Sequence, residues 1–315
     1  MQAAPRGSTG LSARERPAII ELVNRGHEYR ERVPARASGR MVLDWLAERY
    51  RHSARSTWRD RLATGEVLLD GATASADDVM SADQSLAWRR PPWQEPDVPL
   101  GFALLYRDAH LVAVAKPRGL PSLPNGGFLE HTLLHRVSGV FPGAVPLHRL
   151  GRGTSGIVLF ALSTQARRAV AADWRAGRVL KEYRALVAGR PERDVFTVDV
   201  AIGPVPHPTL GTVHAARVDG RPAVSHVRVV GARAGGTLVS VTIPTGRPHQ
   251  IRIHLAAAGH PLVGDPLYVA GGGTALQPGL PGDGGYWLHA WRLALAHPVD
   301  GQRLTLECLP PPPLR

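Results

Sequence analysis

The amino-acid sequence predicts an α+β protein in which a small N-terminal domain precedes a larger one. Apolar side chains recur at helical spacing within residues 41–50, which is typical of an amphipathic helix. The run from Ile157 to Leu162 is apolar throughout, so we expect a strand that is buried on both faces near the centre of a sheet. Between these segments, prolines in residues 91–99 mark a linker.

The composition is that of an ordinary globular protein. The 315 residues are enough for one large domain or two smaller ones, and 43% of them are hydrophobic. The single cysteine, Cys308, excludes an intramolecular disulfide and a metal site built from cysteines. Residues 1–17 lack the apolar core of a secretory signal, and no run of about 18 apolar residues occurs, so we expect a cytoplasmic protein without a membrane span.

The net charge of +12 is unevenly distributed along the chain. Residues 1–100 hold 15 basic and 14 acidic side chains, whereas residues 101–315 hold 23 basic and 12 acidic ones. A surplus of this sign favours a polyanionic partner such as RNA, although an arginine-rich solvated surface would give the same count. The only lysines are Lys116 and Lys181, and both lie in motifs described below.

The first part of the chain divides into an N-terminal arm, residues 1–38, and a compact domain, residues 39–92. A short strand is expected in the arm around residues 27–33. In the compact domain the patterns predict two helices followed by two strands, at residues 41–50, 56–63, 65–71 and 85–88. Ser53 or Ser56 is a candidate N-cap of the second helix.

The larger domain, residues 100–315, contains further strands and helices. Strand patterns occupy residues 111–115, 157–162, 181–187, 238–243, 288–295 and 303–307, the last two as an antiparallel hairpin. One helix is predicted over residues 164–177, and another from a first turn at Pro248 to a C-terminal stop at Gly259. Residues 271–285 are rich in glycine and proline, which indicates a mobile loop.

Four motifs in the larger domain resemble those of one enzyme family. Residues 148–156 read HRLGRGTSG, similar to the central motif HRLDxxTSG of the RluA-type RNA pseudouridine synthases. The family's other three motifs are matched, in the family order, by residues 104–121, 181–187 and 244–268. The whole resemblance spans roughly residues 39–310. The departure that concerns chemistry is Gly151, which occupies the position of the family's catalytic aspartate.

The resemblance implies a pseudouridine synthase-type fold, in which a mixed, mostly antiparallel sheet with flanking helices follows a small α-L RNA-binding domain. It also implies a reaction without a cofactor, in which a uridine of structured RNA is flipped out, cleaved from its ribose and rejoined through carbon 5. By the same resemblance Tyr183 packs against the uracil, Arg252 pairs with the catalytic carboxylate, and Arg149 enters the RNA where the base leaves. RNA binding is assigned also to Lys116 and to the arginines around the second helix, Arg49, Arg51, Arg55 and Arg59.

Gly151 leaves two hypotheses open, because glycine has no group that attacks a sugar or takes up a proton. One is a working synthase that uses a different carboxylate, for which the candidates are Asp108, Asp173 and Asp265. The other is a non-catalytic RNA-binding or RNA-assembly protein on the same scaffold. In both, Arg252 needs compensation for its missing partner, from water, an RNA phosphate, a relocated carboxylate or exposure.

The remaining expectations concern metals and partners. His249 and His254 are separated by five positions and no pair of acidic ligands accompanies them, so we expect no metal site. A separate N-terminal RNA-binding domain suits a large structured target, which favours rRNA over tRNA. We expect the protein to be a monomer.

Overall fold

The structure of the protein, a computed structural model, describes residues 23–315. Residues 1–22, which include most of the expected N-terminal arm and the segment inspected for a secretory signal, lie outside the described residues. The helices are α1 (Val42–Arg49), α2 (Arg55–Ala63), α3 (Leu133–Val140), α4 (Thr164–Arg175) and α5 (Gln250–Ala257), with short 3-10 helices at Ala35–Ala37 and Pro312–Leu314. The strands are β1 (His27–Arg32), β2 (Val67–Leu69), β3 (Ala72–Thr73), β4 (Ser85–Arg90), β5 (Ala103–Arg107), β6 (Leu111–Lys116), β7 (Val145–Pro146), β8 (Ser155–Ala161), β9 (Leu180–Val187), β10 (Val195–Val198), β11 (Ile202–His207), β12 (Gly211–Ala216), β13 (Ser225–Arg233), β14 (Gly236–Thr242), β15 (Leu288–Ala296) and β16 (Arg303–Glu307).

A four-stranded antiparallel sheet and two helices form the small N-terminal domain. The strand order is β1-β4-β2-β3, and α1 and α2 bury Trp45 and Trp58 in a core with Met80 and Leu86. The strand expected in the N-terminal arm is present as β1, and it pairs with β4 over its whole length. This part of the arm is therefore built into the small domain's sheet.

The second helix of the small domain begins without a side-chain cap. Its N-cap residue is Ala54, which has extended backbone angles and no side chain that could accept a hydrogen bond. The Ser53 hydroxyl instead accepts a hydrogen bond of 3.0 Å from Arg61. The prediction that Ser53 or Ser56 caps this helix is therefore wrong, because the helix begins at Arg55, between the two serines.

A ten-stranded sheet forms the framework of the large domain. Its order is β10-β13-β14-β9-β15-β8-β6-β5, with β16 and β7 added beside β15 and β8. Among the strand pairs of the described residues only β8 with β15 is parallel, so the prediction of a mixed, mostly antiparallel sheet in an α+β fold is confirmed. The apolar strand β8 lies between β15 and β6, as predicted, and Val158, Leu159 and Phe160 are completely buried. The terminal hairpin of β15 and β16 is also confirmed.

Helix α5 begins later than the sequence suggests. His249, its N-cap residue, has a left-handed φ of 56°, a conformation that cannot continue an α-helix. Pro248 therefore precedes the helix instead of occupying its first turn, which is a correction to the prediction. Gly259 follows the C-cap with a φ of 87° and ends the helix as predicted. None of the helices within residues 23–315 has the length and apolarity that crossing a membrane would require.

Candidate active site

The loop of residues 148–156 lies at the end of the sheet and is fastened to the loop that follows β6. The Ser122 hydroxyl donates to the carbonyl of Leu150 at 2.8 Å and accepts from the Leu150 N–H at 3.1 Å. The Gly119 N–H donates to the carbonyl of Arg152 at 2.8 Å. The last two residues of this segment, Ser155 and Gly156, begin β8, and Gly156 pairs with Lys116 of β6, so the backbone of the loop is held in a defined position.

Lys116 holds the same two loops from inside the protein. Only 1% of the residue is exposed, and its ammonium group donates to the carbonyls of Pro117, Leu120 and Arg152 at 2.9, 2.6 and 3.3 Å. Burial lowers the pKa of Lys116 to about 7. The expectation that Lys116 binds RNA is therefore corrected, because its charge is enclosed by loop carbonyls and has no surface from which to reach a phosphate.

Gly151 is exposed and lies beside the buried Tyr286. A Cβ atom at position 151 would be 3.3 Å from the Tyr286 hydroxyl and 3.6 Å from Oγ1 of Thr154, and these two hydroxyls are themselves 3.3 Å apart. The φ angle of Gly151 is outside the left-handed region, so the backbone accepts a larger residue. Gly153 differs, because a Cβ there would be 2.8 Å from the Tyr286 ring. Glycine at 153 thus lets the ring approach the loop, and the ring fills the space beside Gly151.

Of the ways in which Arg252 could be compensated for the missing aspartate, the structure shows a carboxylate elsewhere in the chain, Asp265. The Arg252 guanidinium donates to both carboxylate oxygens of Asp265 at 2.7 Å and to the carbonyl of Pro281 at 3.0 Å. The side chains of Arg252 and Asp265 are only 3% and 1% exposed. Burial is the largest single influence on the pKa of Arg252 and lowers it, but hydrogen bonding to Asp265 together with the charge interactions with Asp265, Tyr286 and Tyr268 raises the pKa overall. The guanidinium also lies over the rings of Tyr286 and Tyr268, at 4.2 and 5.0 Å from their centroids.

These side chains form one group, which we call the Arg252 cluster: Gly151, Thr154, Arg252, Asp265 and Tyr286. The Tyr286 ring connects its two halves, since the ring faces the guanidinium while its hydroxyl faces the loop. Gly151 and Arg252 therefore both lie beside the Tyr286 side chain, Gly151 at its hydroxyl and Arg252 at its ring.

Tyr183 on β9 lies next to the Arg252 cluster. It packs against the apolar side chains around Tyr286 and Leu288, and against those around Leu150 and Ala290. Burial raises the pKa of Tyr183 to about 12, so the ring carries a neutral hydroxyl. A partly buried, uncharged aromatic side chain at this place offers a face to a flat ligand such as a nucleobase.

Only one of the three candidate carboxylates lies in the cluster. Asp108 forms the turn before β6 and binds Tyr106 and His297. Burial raises the pKa of Asp108, but its hydrogen bonds outweigh burial and lower the pKa to about 2. Asp173 lies on α4 and pairs with Arg178. Neither residue contacts the cluster, and Asp265 is fully engaged: besides Arg252 it accepts the N–H groups of the two residues Leu267 and Tyr268.

The arginines assigned to RNA lie on two surfaces. Arg149 is exposed, it has no ion pair within residues 23–315, and its charge contributes to the low pKa of His249 in the neighbouring loop. Four exposed arginines surround the α1–α2 turn of the small domain, namely Arg49, Arg51, Arg55 and Arg59. Of these, Arg55 pairs with Asp44 at 2.5 Å. Their exposure leaves contact with RNA phosphates as a prediction.

The histidines of the fourth motif are occupied by hydrogen bonds. His249 contacts the Tyr268 hydroxyl at 2.7 Å, and burial lowers the pKa of His249 to about 3. His254 is held between the Ser225 hydroxyl and the carbonyl of Val200, each at 2.9 Å. Both imidazoles therefore orient α5 and the loop that follows it.

Two residues of this region escaped the sequence analysis. Tyr286 precedes β15, and nothing in its local pattern separates it from an ordinary core tyrosine. Asp283 lies in the segment expected to be a mobile loop, with a 40% exposed side chain 3.4 Å from Arg152. That segment is irregular, and two of its carbonyl groups are bound: Pro281 accepts from Arg252, and Gly282 accepts from Arg152 at 2.6 Å. The only signal in the sequence was that the residues that Tyr286 and Asp283 contact, Arg252 and Arg152, lie in recognised motifs.

Comparison with known proteins agrees with the motifs. The family model for RNA pseudouridylate synthase matches residues 110–257. An RNA pseudouridine synthase of Synechocystis sp. is 41% identical over 276 residues, which cover 87% of this chain and 95% of that protein. The chain belongs to the RluA-type RNA pseudouridine synthase family.

Two further synthases share sequence or fold with this member of the family. The ribosomal large subunit pseudouridine synthase D of Xanthomonas campestris is 32% identical over 90% of this chain and 89% of its own length. The structure of human RNA pseudouridylate synthase domain containing 1 superposes with a TM-score of 0.52 at 27% identity, covering 69% of this chain and 86% of that one. The match supports the pseudouridine synthase fold of the large domain.

Proposed function

We propose that the protein binds structured RNA, with rRNA favoured, and isomerises a uridine in it to pseudouridine. The observation that supports the proposal is that Gly151 and Arg252 both lie beside Tyr286, while Tyr183 packs against the apolar cluster that contains Tyr286. The exposed Arg149, which has no ion pair within residues 23–315, lies on the same loop as Gly151. The ribosomal substrate in the name of the Xanthomonas relative supports rRNA as the target. A monomeric, cytoplasmic protein stays part of the proposal.

The reaction needs a carboxylate that can approach the sugar, and we propose Asp283 for this role. Asp265 is unsuitable because its side chain is buried, both of its oxygens are bound by Arg252, and one of them also accepts two backbone N–H groups. Asp283 is open to solvent and accepts a backbone hydrogen bond from Leu280 at 2.7 Å. Its loop is joined to the cluster through Pro281, so a ligand over Gly151 would lie near this carboxylate.

The test is pseudouridine formation on rRNA from cells that lack the gene. The purified protein is incubated with this rRNA, and the nucleosides are separated by chromatography after digestion. Asp283→Asn removes the charge and keeps the shape, and loss of a catalytic nucleophile lowers the rate by about 10⁴–10⁶-fold. Asp219→Asn is the matched control, because Asp219 is an exposed aspartate that is paired with Arg217 in the turn after β12 and is not part of the Arg252 cluster. Equal rates for the two variants would remove Asp283 from the mechanism.

A second candidate function is RNA binding without isomerisation. The observation in its favour is that position 151 carries no carboxylate and that the one buried carboxylate of the cluster, Asp265, is held by Arg252. In this case the protein binds the same rRNA with salt-sensitive affinity, and no pseudouridine appears with wild type or any aspartate variant. Binding and product are measured in the same samples, so the two functions give different results.

A further inference from the structure

A cavity of about 840 Å³ lies between the small domain and the large domain, away from the Arg252 cluster. One wall consists of the β1–β4 face and the α1–α2 turn, and the opposite wall is the loop of residues 124–129. The volume lies within the range of about 300–1,000 Å³ that is usual for small-ligand sites.

The two walls are fixed to each other. Glu95, which is 4% exposed, accepts the side-chain amide of Asn24 and the backbone N–H groups of residues 129–131 at 2.7–2.9 Å. The Trp93 indole donates to the carbonyl of Gly127 at 2.7 Å. The cavity is thus preformed, and a ligand would not have to order it.

Aromatic rings line the small-domain wall. Tyr29 and Trp88, which are register partners on β1 and β4, stack with centroids 5.3 Å apart and planes 21° apart. Trp58 meets the edge of Trp88 at 5.1 Å, and Tyr50 and His52 complete the wall. Trp88 covers one face of Tyr29, and His27 meets the Tyr29 ring in a T-shaped contact with centroids 4.6 Å apart. Tyr29 is still 43% exposed, so part of its ring is open to a further aromatic ligand.

Two arginines flank these rings without a carboxylate partner. The Arg61 guanidinium lies 4.2 Å from the Trp88 ring centroid, and that of Arg90 lies 3.5 Å from the Trp93 centroid. Within residues 23–315 neither guanidinium takes part in a salt bridge, and burial lowers the pKa of Arg61. Arg61 lies outside the cavity lining and donates to the Ser53 hydroxyl at 3.0 Å, whereas Arg90 lines the cavity. Stacking on Trp93 holds the Arg90 guanidinium while leaving its N–H donors for an anion.

The acidic residues of the cavity are already engaged. Glu28 pairs with Arg30 and Arg89, and Glu31 accepts the Trp45 indole N–H at 3.1 Å. The aromatic face of the wall and the unpaired cation of Arg90 therefore remain available to a ligand in the cavity. A nucleotide supplies the complement of both, a flat base and a phosphate.

We propose that this cavity binds an unpaired nucleotide of the RNA substrate, with the base stacked on Tyr29 and the phosphate near Arg90. The inference rests on the proposed function in one respect, namely that RNA is the partner. It assigns to the small domain a pocket for a single-stranded base, in addition to phosphate contacts on the α1–α2 arginines. Stacking tolerates every base, so the pocket positions the RNA without fixing its sequence.

The experiment uses a single-stranded RNA pentamer with 2-aminopurine at its centre, whose fluorescence falls when the base stacks on an aromatic ring. Binding to wild type should quench the signal. Tyr29→Ala should weaken binding on the order of 10-fold, because one stacked base is lost, and Tyr29→Phe should bind as wild type does. Arg90→Gln should weaken binding. It should also reduce the number of counterions released on binding, read from the slope of log affinity against log salt concentration, by about one. Arg32→Gln, on the same exposed strand but outside the cavity, is the matched control.

An abasic pentamer completes the test. Wild type should bind it on the order of 10-fold more weakly than the aminopurine pentamer, and Tyr29→Ala should bind both equally. If wild type binds the two pentamers with equal affinity, or if Tyr29→Ala leaves binding unchanged, the proposal that the cavity binds a base is wrong. If wild type modifies rRNA but binds neither pentamer, the proposed nucleotide pocket is wrong and the proposed function stands. If wild type binds neither rRNA nor pentamer, both fail.

Discussion

Restoring the family's carboxylate at position 151 tests how the site has diverged. Gly151→Asp places a side chain on a loop whose backbone angles accept it. The new Cβ, however, would lie 3.3 Å from the Tyr286 hydroxyl, closer than ordinary van der Waals contact. The Tyr286 ring has little room to retreat, because it is 1% exposed and lies between Gly153 and the Arg252 guanidinium.

The magnitude follows from this contact. Position 151 is exposed, but the new Cβ would press on the buried Tyr286. Overpacking against a buried side chain costs about 1–3 kcal/mol, so the free energy of unfolding should fall by up to that amount in Gly151→Asp. Tyr286→Phe alone loses the 3.3 Å hydroxyl contact with Thr154, a cost of about 0.5–1.5 kcal/mol. In the double variant the hydroxyl that obstructs the aspartate is gone. We therefore expect a coupling of about 1 kcal/mol or more in favour of the pair.

The assay combines urea unfolding with pseudouridine formation on rRNA. If wild type is slow or inactive, we expect the double variant Gly151→Asp with Tyr286→Phe to form more product than either single variant, since only there can the carboxylate take a relaxed position near Arg252. Gly151→Asn with Tyr286→Phe is the control of equal size without a charge. Arg252 has N–H groups left after its bonds to Asp265 and Pro281, so it can serve a second carboxylate.

Two results would refute this reasoning. Additive unfolding free energies would mean that the Tyr286 hydroxyl does not restrict position 151. A folded double variant no more active than an inactive parent would mean that more than the missing carboxylate has changed, and RNA binding without isomerisation would then lead. If the wild-type protein is already fully active, its carboxylate lies elsewhere, and Asp283 is the residue that we propose.

Three further predictions concern single residues. Arg149→Gln should weaken rRNA binding by about 10-fold in a filter-binding assay, with the free energy of unfolding unchanged within about 0.5 kcal/mol, because the side chain is exposed and unpaired; unchanged affinity would exclude it from the interface. Arg59→Glu should weaken binding equally for rRNAs of different sequence and reduce the salt dependence, which a sequence-selective loss would contradict. Burial lowers the pKa of His148 from 6.5 to about 4, so the stability that its neutral ring contributes is complete above pH 6.5 and is lost as the pH falls towards 4, by at most about 3 kcal/mol. His148→Asn should flatten urea-derived stability over that window relative to wild type, and parallel profiles would show that the ring does not titrate with folding.

Much of the fold could be predicted from the sequence, because helices and strands depend on local patterns of apolar and polar residues. The apolar run of β8 placed that strand in the centre of the sheet, since only a strand covered on both faces tolerates such a composition. The order of α1, α2, β2 and β4 followed from the spacing of apolar residues, and Gly259 ended α5 because glycine adopts the left-handed turn at low cost. The N-cap of α2 and the start of α5 were missed, because each depends on backbone angles that composition does not fix.

The tertiary structure decided which partner each site residue has. Arg252 meets Asp265 only because the chain returns to α5 after 13 residues, and Thr154 meets Tyr286 across 132 residues. Lys116 appeared suited to RNA, yet folding encloses its ammonium group among loop carbonyls. The sequence by itself determined the elements and the family, since periodicity and motifs are carried by neighbouring residues. Hydrogen bonding and burial act through space, so the pairing of Arg252 and the tyrosine beside Gly151 were decided only when distant segments packed together.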